Sequence, residues 1–420
     1  MLSYFSIHNF KSILDLKLDV SYAEKKAPNR YQDMEMLPFL QAKEKVRLVP
    51  VIALYGANAS GKSNIIHAFS TFKQIIAKGL TAQSFNPNRL HSNYPSTSFE
   101  LEFYLDETAY VYFLEYDKQQ IQRERLTVEG KTLYAIETQT QAFGTIATKV
   151  YTTDKLNEVY TVECLDEEKN QKKPFLTVLG QGFTGLSEHV SAAFSYISRN
   201  IDVYTTNRPS FSSCLDMLSA SKDQIKLKEA FNKIVFILKK LDIDIARMEH
   251  IRETNLGPRL AFSTTNSSLG TCTKQSDTIH SYHLDMQGNE IEFDFNEESE
   301  GTKRLSSLIA MFLFALEQGS VVIIDELALS LHPLLTSELV KLFKDKRYNT
   351  KNSQIIFTTH NTDILDNDLL RISEICIINK TLKSGSTMKR VSDFKGVRNV
   401  TNFRKQYLHG TYTGIPFPYI

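Results

Sequence analysis

Hydrophobic and polar residues alternate in several stretches near the start of the chain, and this pattern predicts antiparallel strands. The first twenty residues alternate on both sides of a polar turn at Asn9–Ser12, so two short strands are predicted there. Two alternating runs between Phe99 and Asp117 predict a hairpin, and strand-like pieces continue to about residue 180. Residues 22–46 are charged and contain two prolines, which predicts a surface loop or a short inserted helix.

Three apolar runs are continuous rather than alternating, which is typical of strands buried on both faces of a parallel sheet. They are Val49–Gly56, Val321–Asp325 and Gln354–His360. Apolar residues recur at helical spacing after Lys62, from Leu305 to Leu316 and around Leu335 to Phe343. This order of strands and helices predicts a doubly wound α/β core.

The stretch between the strands predicted up to residue 180 and the helix predicted from Leu305 has a different pattern. The residues from Leu186 to Leu241 are helical in pattern and predict a helical insertion. A hairpin that turns at Gly288 and Asn289 is predicted to follow it.

Composition and charge narrow the class of protein. The 420 residues are 42% hydrophobic and 23% charged, which lies in the globular range. Lysine and arginine number 49 against 48 acidic residues, so the net charge of the chain does not attract nucleic acid. A local basic patch that binds nucleic acid is still a hypothesis. The four cysteines form no C-x-x-C pair and read as reduced thiols. Without a signal-peptide pattern or an uninterrupted apolar span, the expected location is the cytoplasm, with no membrane contact.

The segment Gly56–Ser63 fits the phosphate-binding pattern G-x-x-x-x-G-K-[ST]. Glycines let the backbone curl so that its N–H groups point at phosphate oxygens, and the lysine supplies positive charge. The strand before it and the amphipathic helix after it are the context that the motif requires. The candidate nucleotide-binding residues are Gly56, Asn58, Gly61, Lys62 and Ser63, with the Ser63 hydroxyl as a Mg²⁺ ligand.

Two acidic residues end the second apolar run, at the edge where a doubly wound sheet binds ligands. Asp325 is the candidate Mg²⁺ ligand and Glu326 the residue that polarises the attacking water. His360 follows the third run and is a candidate contact for the γ-phosphate or the water. Alone, the acids would be read as solvated and the histidine as a polar cap.

The helix that begins near Ser299 offers a further anion site. Ser299–Arg304 places free backbone N–H groups and the positive end of the helix dipole together. Alone, it would be an ordinary helix start.

These elements, in this order, resemble the ABC-type ATPases of the SMC and repair family. The family's opening I-x-N-F-[KR]-S matches Ile7–Ser12, and its signature matches Ser299–Arg304. The resemblance implies that two ATP molecules lie between two heads, so Ser299 and Gly301 would contact the γ-phosphate bound at the other subunit's Lys62. It therefore implies a homodimer or higher oligomer with shared ATP sites.

Three longer motifs resemble the stand-alone AAA-15/AAA-21 type ATPases of bacterial defence operons, the RloA and AbiL group. They are Glu297–Leu305, Asp325–Pro333 and Tyr407–Pro416. The resemblance implies an α/β fold: an ABC/SMC-type P-loop ATPase head with an antiparallel β subdomain and a short helical insertion. The implied segments are 1–180, with the phosphate loop; 181–250, the insertion; and 251–420, with the signature, the acidic pair and His360.

The same resemblance implies a function. The expected protein is an ATP-hydrolysing dimeric switch that uses ATP and Mg²⁺ in an anti-phage, abortive-infection system. About 60 residues follow His360, fewer than an appended nuclease domain needs, so a nuclease or toxin activity would come from a separate effector protein. The alternatives are a DNA-repair ATPase that clamps DNA and a scaffold that binds ATP without turnover.

Two features depart from the family pattern or stay open. Ala328 stands where the family has an acidic residue that helps couple the two sites. The glutamine that links Mg²⁺ to conformational change has three candidates, Gln83, Gln139 and Gln141.

Three further groups of residues allow more than one interpretation. Asp242 with Asp244 and Asp366 with Asp368 would bind a metal only with a third carboxylate. A lysine-rich face is either a phosphate-binding surface or a solvated helix face; its members are Lys222, Lys226, Lys228, Lys233, Lys239 and Lys240. The aromatic tail, Tyr412–Ile420, is expected to dock onto its own domain or a partner.

Overall fold

The structure is a computed structural model, and it separates into two compact units. It describes residues 1–22, 36–90, 94–137, 140–146, 151–183, 187–205, 211, 213, 224–260, 269–329, 331–396 and 402–415, with the side chains of 224 and 252–277 outside this description. One unit combines Met1–Arg208 with Ala315–Ile420, and the other is Pro209–Phe314. The three segments expected from the sequence, 1–180, 181–250 and 251–420, stay a prediction.

Strands dominate the first unit. They are β1 (Leu2–Phe10), β2 (Ile13–Asp19), β3 (Leu40–Lys43), β4 (Val46–Leu48), β5 (Val51–Tyr55), β6 (Thr97–Leu105), β7 (Thr108–Tyr116), β8 (Ile121–Val128), β9 (Lys131–Glu137), β10 (Thr140–Ala142) and β11 (Ile201–Tyr204). The second unit holds β12 (Arg247–Leu260), β13 (Leu269–Leu284) and β14 (Glu290–Asp294), and the first unit resumes with β15 (Val321–Ile324), β16 (Gln354–Thr358), β17 (Ile375–Thr381) and β18 (Gly385–Arg390).

Within the described residues, helices are fewer than strands. They are α1 (Lys62–Lys78), α2 (Thr153–Val159), α3 (Phe175–Gly182), α4 (Glu188–Arg199), α5 (Gln224–Lys240), α6 (Glu300–Gln318), α7 (Pro333–Lys344) and α8 (Phe403–Leu408). Within the described ranges, no helix is long and apolar enough to cross a membrane.

Thirteen of the described strands form one sheet in the order β10-β9-β8-β7-β6-β1-β2-β18-β17-β5-β16-β15-β11. The half from β10 to β2 is antiparallel, and β17, β5, β16, β15 and β11 are parallel neighbours. Strand β18 joins the halves because it pairs antiparallel with both β17 and β2. The predicted α/β core with an antiparallel β subdomain is confirmed.

Helix α1 packs its apolar stripe into an aromatic core beneath this sheet. Ile65, Ile66, Phe69, Phe72, Ile75 and Ile76 are buried, as the helical spacing predicted. The ring of Phe69 stacks on Phe5 of β1 with centroids 4.0 Å apart, and Phe72 lies against Phe99 of β6. The helix that begins at the phosphate loop is therefore fixed to the antiparallel half of the sheet.

The predicted hairpins are confirmed, whereas several other local predictions for strands are wrong. The hairpins β1–β2, β6–β7 and β13–β14 form as expected, the last with Gly288 at φ 85° in its turn. The strand-like reading of residues up to 180 holds only through β10, because α2 and α3 are helical. Strands β3, β4, β11, β12, β17 and β18 were not predicted: β3 lies within the loop or helix expected at residues 22–46, and β11 lies within the stretch expected to be helical.

A buried carboxylate explains why the chain turns helical at Phe175. Glu124 on β8 is 1% exposed, and its oxygens accept hydrogen bonds from the N–H groups of Phe175 (2.7 Å) and Leu176 (2.9 Å). Pro174 precedes this helix and offers no side-chain cap. The carboxylate of Glu124, on strand β8, accepts hydrogen bonds from the first amides of α3 instead.

Three side chains complete the shell around this carboxylate. They are Tyr112, Tyr134 and Gln171, at 3.0, 2.8 and 2.9 Å. Burial raises the pKa of Glu124, and the hydrogen bonds oppose that rise.

The second unit contains an antiparallel sheet, β12-β13-β14, and helix α5. Helix α5, which lies within the stretch predicted to be helical, buries Phe231, Ile234 and Leu238. On its other face Lys226, Lys228, Lys233, Lys239 and Lys240 are exposed; Lys222 lies outside the described residues. Phe236 is also exposed there, with the Lys240 ammonium 4.4 Å from its ring centroid.

The described part of the aromatic tail docks onto the first unit. The Tyr407 hydroxyl donates to the Gly414 carbonyl at 3.1 Å, and Tyr412 is buried against Phe394. Residues 416–420 of the tail lie outside the description. Among the cysteines, Cys164 and Cys376 are buried and free, whereas the side chains of Cys214 and Cys272 are not among those described.

We predict that Glu124→Ala lowers the free energy of unfolding by about 3 kcal/mol or more, because five donors lose their buried acceptor. Chemical denaturation of the purified variants measures this. Glu158→Ala removes an exposed carboxylate from α2 and serves as the control, with an expected change near zero. Equal stabilities for the two variants would contradict the assigned role of Glu124.

Candidate functional site

Three neighbouring parallel strands end at one edge of the large sheet. Strand β16 lies between β5 and β15, with Thr358 opposite Leu54 and Phe357 opposite Ile324. Their carboxyl ends therefore bring Gly56, His360 and Asp325 to the same edge, although these residues are widely separated along the chain.

The phosphate loop turns tightly between β5 and α1, and two of its glycines are required by the space available. A Cβ on Gly56 would lie 2.4 Å from the Ile378 carbonyl oxygen. Gly61 has φ 106°, and a Cβ there would lie 2.1 Å from the Ser386 hydroxyl. A residue with a Cβ at either position would push the loop away from the sheet.

A set of small polar side chains holds the loop from behind. The Ser386 hydroxyl on β18 donates to the Ser60 carbonyl at 2.7 Å and lies 2.7 Å from the Ser12 hydroxyl. The Asn64 amide on α1 donates to the same Ser12 hydroxyl at 2.6 Å. No sequence motif surrounds Ser386, so its role was not predicted, whereas Ser12 belongs to the Ile7–Ser12 motif.

The loop has the donors that a phosphate group requires. Gly61 caps α1 without a side-chain hydrogen bond, so that cap leaves the first N–H groups of the helix open to an anion. The Ser60 hydroxyl is buried without a hydrogen-bond partner in the described structure. Asn58 is exposed on the loop, and Ser63 is half-buried in the first turn of the helix. A bound phosphate fits this arrangement.

Lys62 carries the positive charge of the loop. Its ammonium is buried and donates to the carbonyls of Gly56 (2.8 Å) and Ala57 (3.0 Å). Burial lowers the pKa of Lys62, and the nearby carboxylates of Asp325 and Glu326 oppose that shift. The lysine therefore lies within electrostatic reach of both acids.

The two acids after β15 are held by one residue of β16. The Thr358 hydroxyl donates to Asp325 Oδ1 at 2.5 Å and accepts the Glu326 N–H at 2.7 Å. Asp325 is 6% exposed and Glu326 is half-buried. A buried carboxylate beside a phosphate loop is a suitable ligand for Mg²⁺.

His360 completes the group at the sheet edge, and its side chain remains exposed. Partial desolvation lowers the pKa of His360 and the Lys62 cation lowers it further, while Glu326 and Asp325 oppose these effects. The net shift favours the neutral imidazole near pH 7. The structure thus brings together Lys62, Asp325, Glu326 and His360, the four charged or titratable residues predicted for the first unit.

A surface cavity of about 410 Å³ adjoins the Ser12 side of the loop. Lys11, Arg89 and Lys380 supply three cations to its lining, together with Asn64 and Asn86. This cationic lining suits an anionic ligand.

The predicted signature residues belong to the second unit. The Ser299 hydroxyl accepts the Thr302 N–H at 3.1 Å, so Ser299 caps α6. Ser299 and Gly301 are both exposed. Glu298, just before them, accepts hydrogen bonds from Ser281 (2.6 Å) and is paired with His283 (2.7 Å) on β13.

The sequence from residue 51 to 366 matches the family model described as "AAA domain, putative AbiEii toxin, Type IV TA system". This match covers most of the chain. The chain belongs to this AAA family. The family resemblance inferred from the motifs is therefore confirmed.

Solved structures similar to this AAA-family chain include SMC heads. The SMC head domain from Thermotoga maritima is 15% identical, with 93% of this chain and 98% of that chain covered and a TM-score of 0.43. The SMC head bound to the C-winged helix domain of ScpA is 14% identical, with 92% and 96% covered and a TM-score of 0.37. No curated protein matches the sequence.

The remaining candidates are dispersed in this AAA-family chain. Gln141 lies on the edge strand β10, Gln83 lies in the turn after α1, and Gln139 is outside the described residues. Ala328 is half-buried in the turn after Glu326. Within the described ranges no three His, Cys, Asp or Glu side chains form a metal-binding group, so neither D-x-D pair acquires a third carboxylate there.

We predict that Gly61→Ala disrupts the phosphate loop, because a left-handed backbone with a Cβ costs about 1–2 kcal/mol and the contact with Ser386 adds to it. The effect is measured by the thermal unfolding temperature and by the affinity for a fluorescent ATP analogue, and both should be lower in the variant. The control is Gly182→Ala, since a Cβ there meets nothing within 4 Å. Unchanged analogue binding by Gly61→Ala would refute the close packing described for the loop.

Proposed function

We propose that this protein binds ATP with Mg²⁺ and hydrolyses it. The observation that carries the proposal is the convergence of Lys62, Asp325, Glu326 and His360 at one sheet edge beside a loop that fits a phosphate. The family match to an AAA domain supports the same activity.

Each residue has a role that its surroundings support. Lys62 would exchange its loop carbonyls for phosphate oxygens, and Glu326 would orient and polarise the attacking water. Neutral His360 would donate a hydrogen bond to the γ-phosphate or the water. Ser63 and Asp325 would hold Mg²⁺, which neutralises charge that develops on the transferred phosphoryl group.

We further propose that the protein is a dimeric switch, which ATP hydrolysis returns from its closed to its open state. Ser299 and Gly301 stand exposed at the start of α6, where a helix N-terminus attracts an anion. In a homodimer or higher oligomer they would bind the γ-phosphate held at the other subunit's Lys62. ATP would then favour a closed assembly, and differential affinity for the closed state would supply the switching free energy.

The proposed biological setting is bacterial anti-phage defence, in which the ATPase acts as a sensor and gates a separate nuclease or toxin effector. The support is the family description, which names a putative AbiEii toxin and type IV toxin–antitoxin systems. The second unit would respond to nucleotide and transmit the signal to the effector.

A second candidate function is an ATPase that clamps DNA, and the exposed face of α5 favours it. Five lysines lie there with the exposed ring of Phe236, a combination that suits phosphates and a stacked base. This candidate requires DNA binding that weakens with salt and strengthens with ATP. Titration of a fluorescent duplex and a single strand at two salt concentrations, with and without ATP, tests it.

We predict that Lys62→Ala and Glu326→Gln each reduce phosphate release by about 10²-fold or more, because each removes a group that acts on the transferred phosphoryl or the water. Phosphate release by the purified chain with Mg²⁺ measures the effect. Lys78→Ala, at the exposed far end of the same helix, and Glu158→Gln are matched controls with unchanged turnover.

The same variants test the dimeric switch. Glu326→Gln should retain ATP and shift the mass measured by light scattering to a dimer or larger assembly, whereas Lys62→Ala should not. Normal hydrolysis by both variants would refute the site. Hydrolysis by the native chain with no nucleotide-dependent mass change would refute the switch alone.

A further inference from the structure

Thr358 is the last residue of β16, between the strand of the phosphate loop and the strand of the acidic pair. Its side chain is fully buried. Its neighbours are Leu54 on one side and the end of β15 on the other. No motif assigned a role to it, because in the sequence it reads as the polar end of an apolar run.

Three hydrogen bonds join Thr358 to the segment that follows β15. Its hydroxyl donates to Asp325 Oδ1 at 2.5 Å and accepts the Glu326 N–H at 2.7 Å. Its carbonyl accepts the Leu327 N–H at 3.1 Å. A hydroxyl has one proton and two lone pairs, so it can satisfy the carboxylate and the amide at once. No apolar side chain of the same shape can replace it.

The backbone of Glu326 needs such support. Its φ of 51° is in the left-handed region, which a residue with a Cβ adopts only when its surroundings hold it there. The amides of Glu326 and Leu327, which flank the Glu326 α-carbon, are the two that Thr358 holds. The direction in which the Glu326 side chain leaves the sheet therefore depends on Thr358.

We infer that Thr358 is a positioning residue for both carboxylates of the hydrolytic site. Its hydroxyl orients the Asp325 carboxylate, which would bind Mg²⁺, and fixes the Glu326 backbone, so that the Glu326 carboxylate would be placed to polarise the water. This inference deepens the proposed ATPase function and rests on it. The neighbouring Thr359 does a separate job, because its hydroxyl accepts the Asn361 N–H at 3.0 Å in the turn around His360.

Thr358→Val keeps the shape of the side chain and removes the hydroxyl. We expect kcat to fall about 10–100-fold, the usual effect of losing a residue that orients a metal ligand, and the required Mg²⁺ concentration to rise. KM for ATP should stay within about threefold, because the phosphate loop is untouched. Thr358→Ser keeps the hydroxyl and should recover most of the lost kcat. Thr336→Val removes an equally buried hydroxyl from α7 and is the control with unchanged turnover.

A second measurement does not need ATP. Hydrogen exchange of the amides at 325–327, followed by mass spectrometry without nucleotide, should be at least about tenfold faster in Thr358→Val, because the Glu326 amide loses its acceptor. Thr358→Ser and Thr336→Val should exchange like the native chain. Thr358→Ala is the second variant without a hydroxyl, and it must reproduce the pattern if Thr358→Val unfolds.

The outcomes separate the two proposals. A native chain that never hydrolyses ATP refutes the proposed function, while the exchange rates still test the contact. Faster exchange with native kcat in Thr358→Val would overturn the positioning role. A loss of kcat that Thr358→Ser does not recover would also overturn it.

Discussion

The site depends on the register of three parallel strands, because one residue of slippage would move every side chain to the other face of the sheet. The buried side chain of Gln354 at the start of β16 fixes that register. Its amide donates to the carbonyls of Leu2 (3.0 Å) and Val49 (3.2 Å), and its oxygen accepts the Leu2 N–H at 2.6 Å. These bonds pin β16 at the end opposite the site. Four residues later the same strand ends at Thr358, and His360 follows two residues after it.

Charge balance at the edge depends on that geometry. One buried lysine lies near two carboxylates, and the surrounding protein excludes enough water to shift the pKa of Lys62 downward. A nucleotide adds negative charge and a divalent cation adds positive charge, so the two ligands compensate each other better than either is compensated alone. This electrostatic arrangement is consistent with the proposed joint binding of ATP and Mg²⁺.

The sequence predicted those parts of the fold whose signal is local. The strand before Gly56, the stripe of α1 and the hairpins β1–β2, β6–β7 and β13–β14 each have their pattern within about twenty residues, and the structure contains them. Helix α3 was misread because its first amides are satisfied by Glu124, about fifty residues earlier, and no local pattern records that contact. The short strand β11 has too few residues to show a period.

The same distinction separates the parts of the site that the sequence predicts. Lys62, Asp325, Glu326 and His360 stand in motifs, and the structure brings them to one edge. Thr358 and Ser386 act through hydrogen bonds to residues distant along the chain, so a single sequence carries no sign of them. Ser299 and Gly301 are described within the second unit, and their role in a shared site stays a prediction.

The pair of hydroxyls behind the phosphate loop has a consequence for biosynthesis. Ser12 and Ser386 are 374 positions apart in the sequence, and the hydroxyls of both lie close to the Gly61 backbone. During translation the whole G-x-x-x-x-G-K-S segment emerges early, yet its rear support arrives only when β18 has left the ribosome. A nascent chain is therefore expected to gain its full affinity for nucleotide late, after long-range strand pairing has closed the sheet. Nucleotide binding would then distinguish finished molecules from truncated ones.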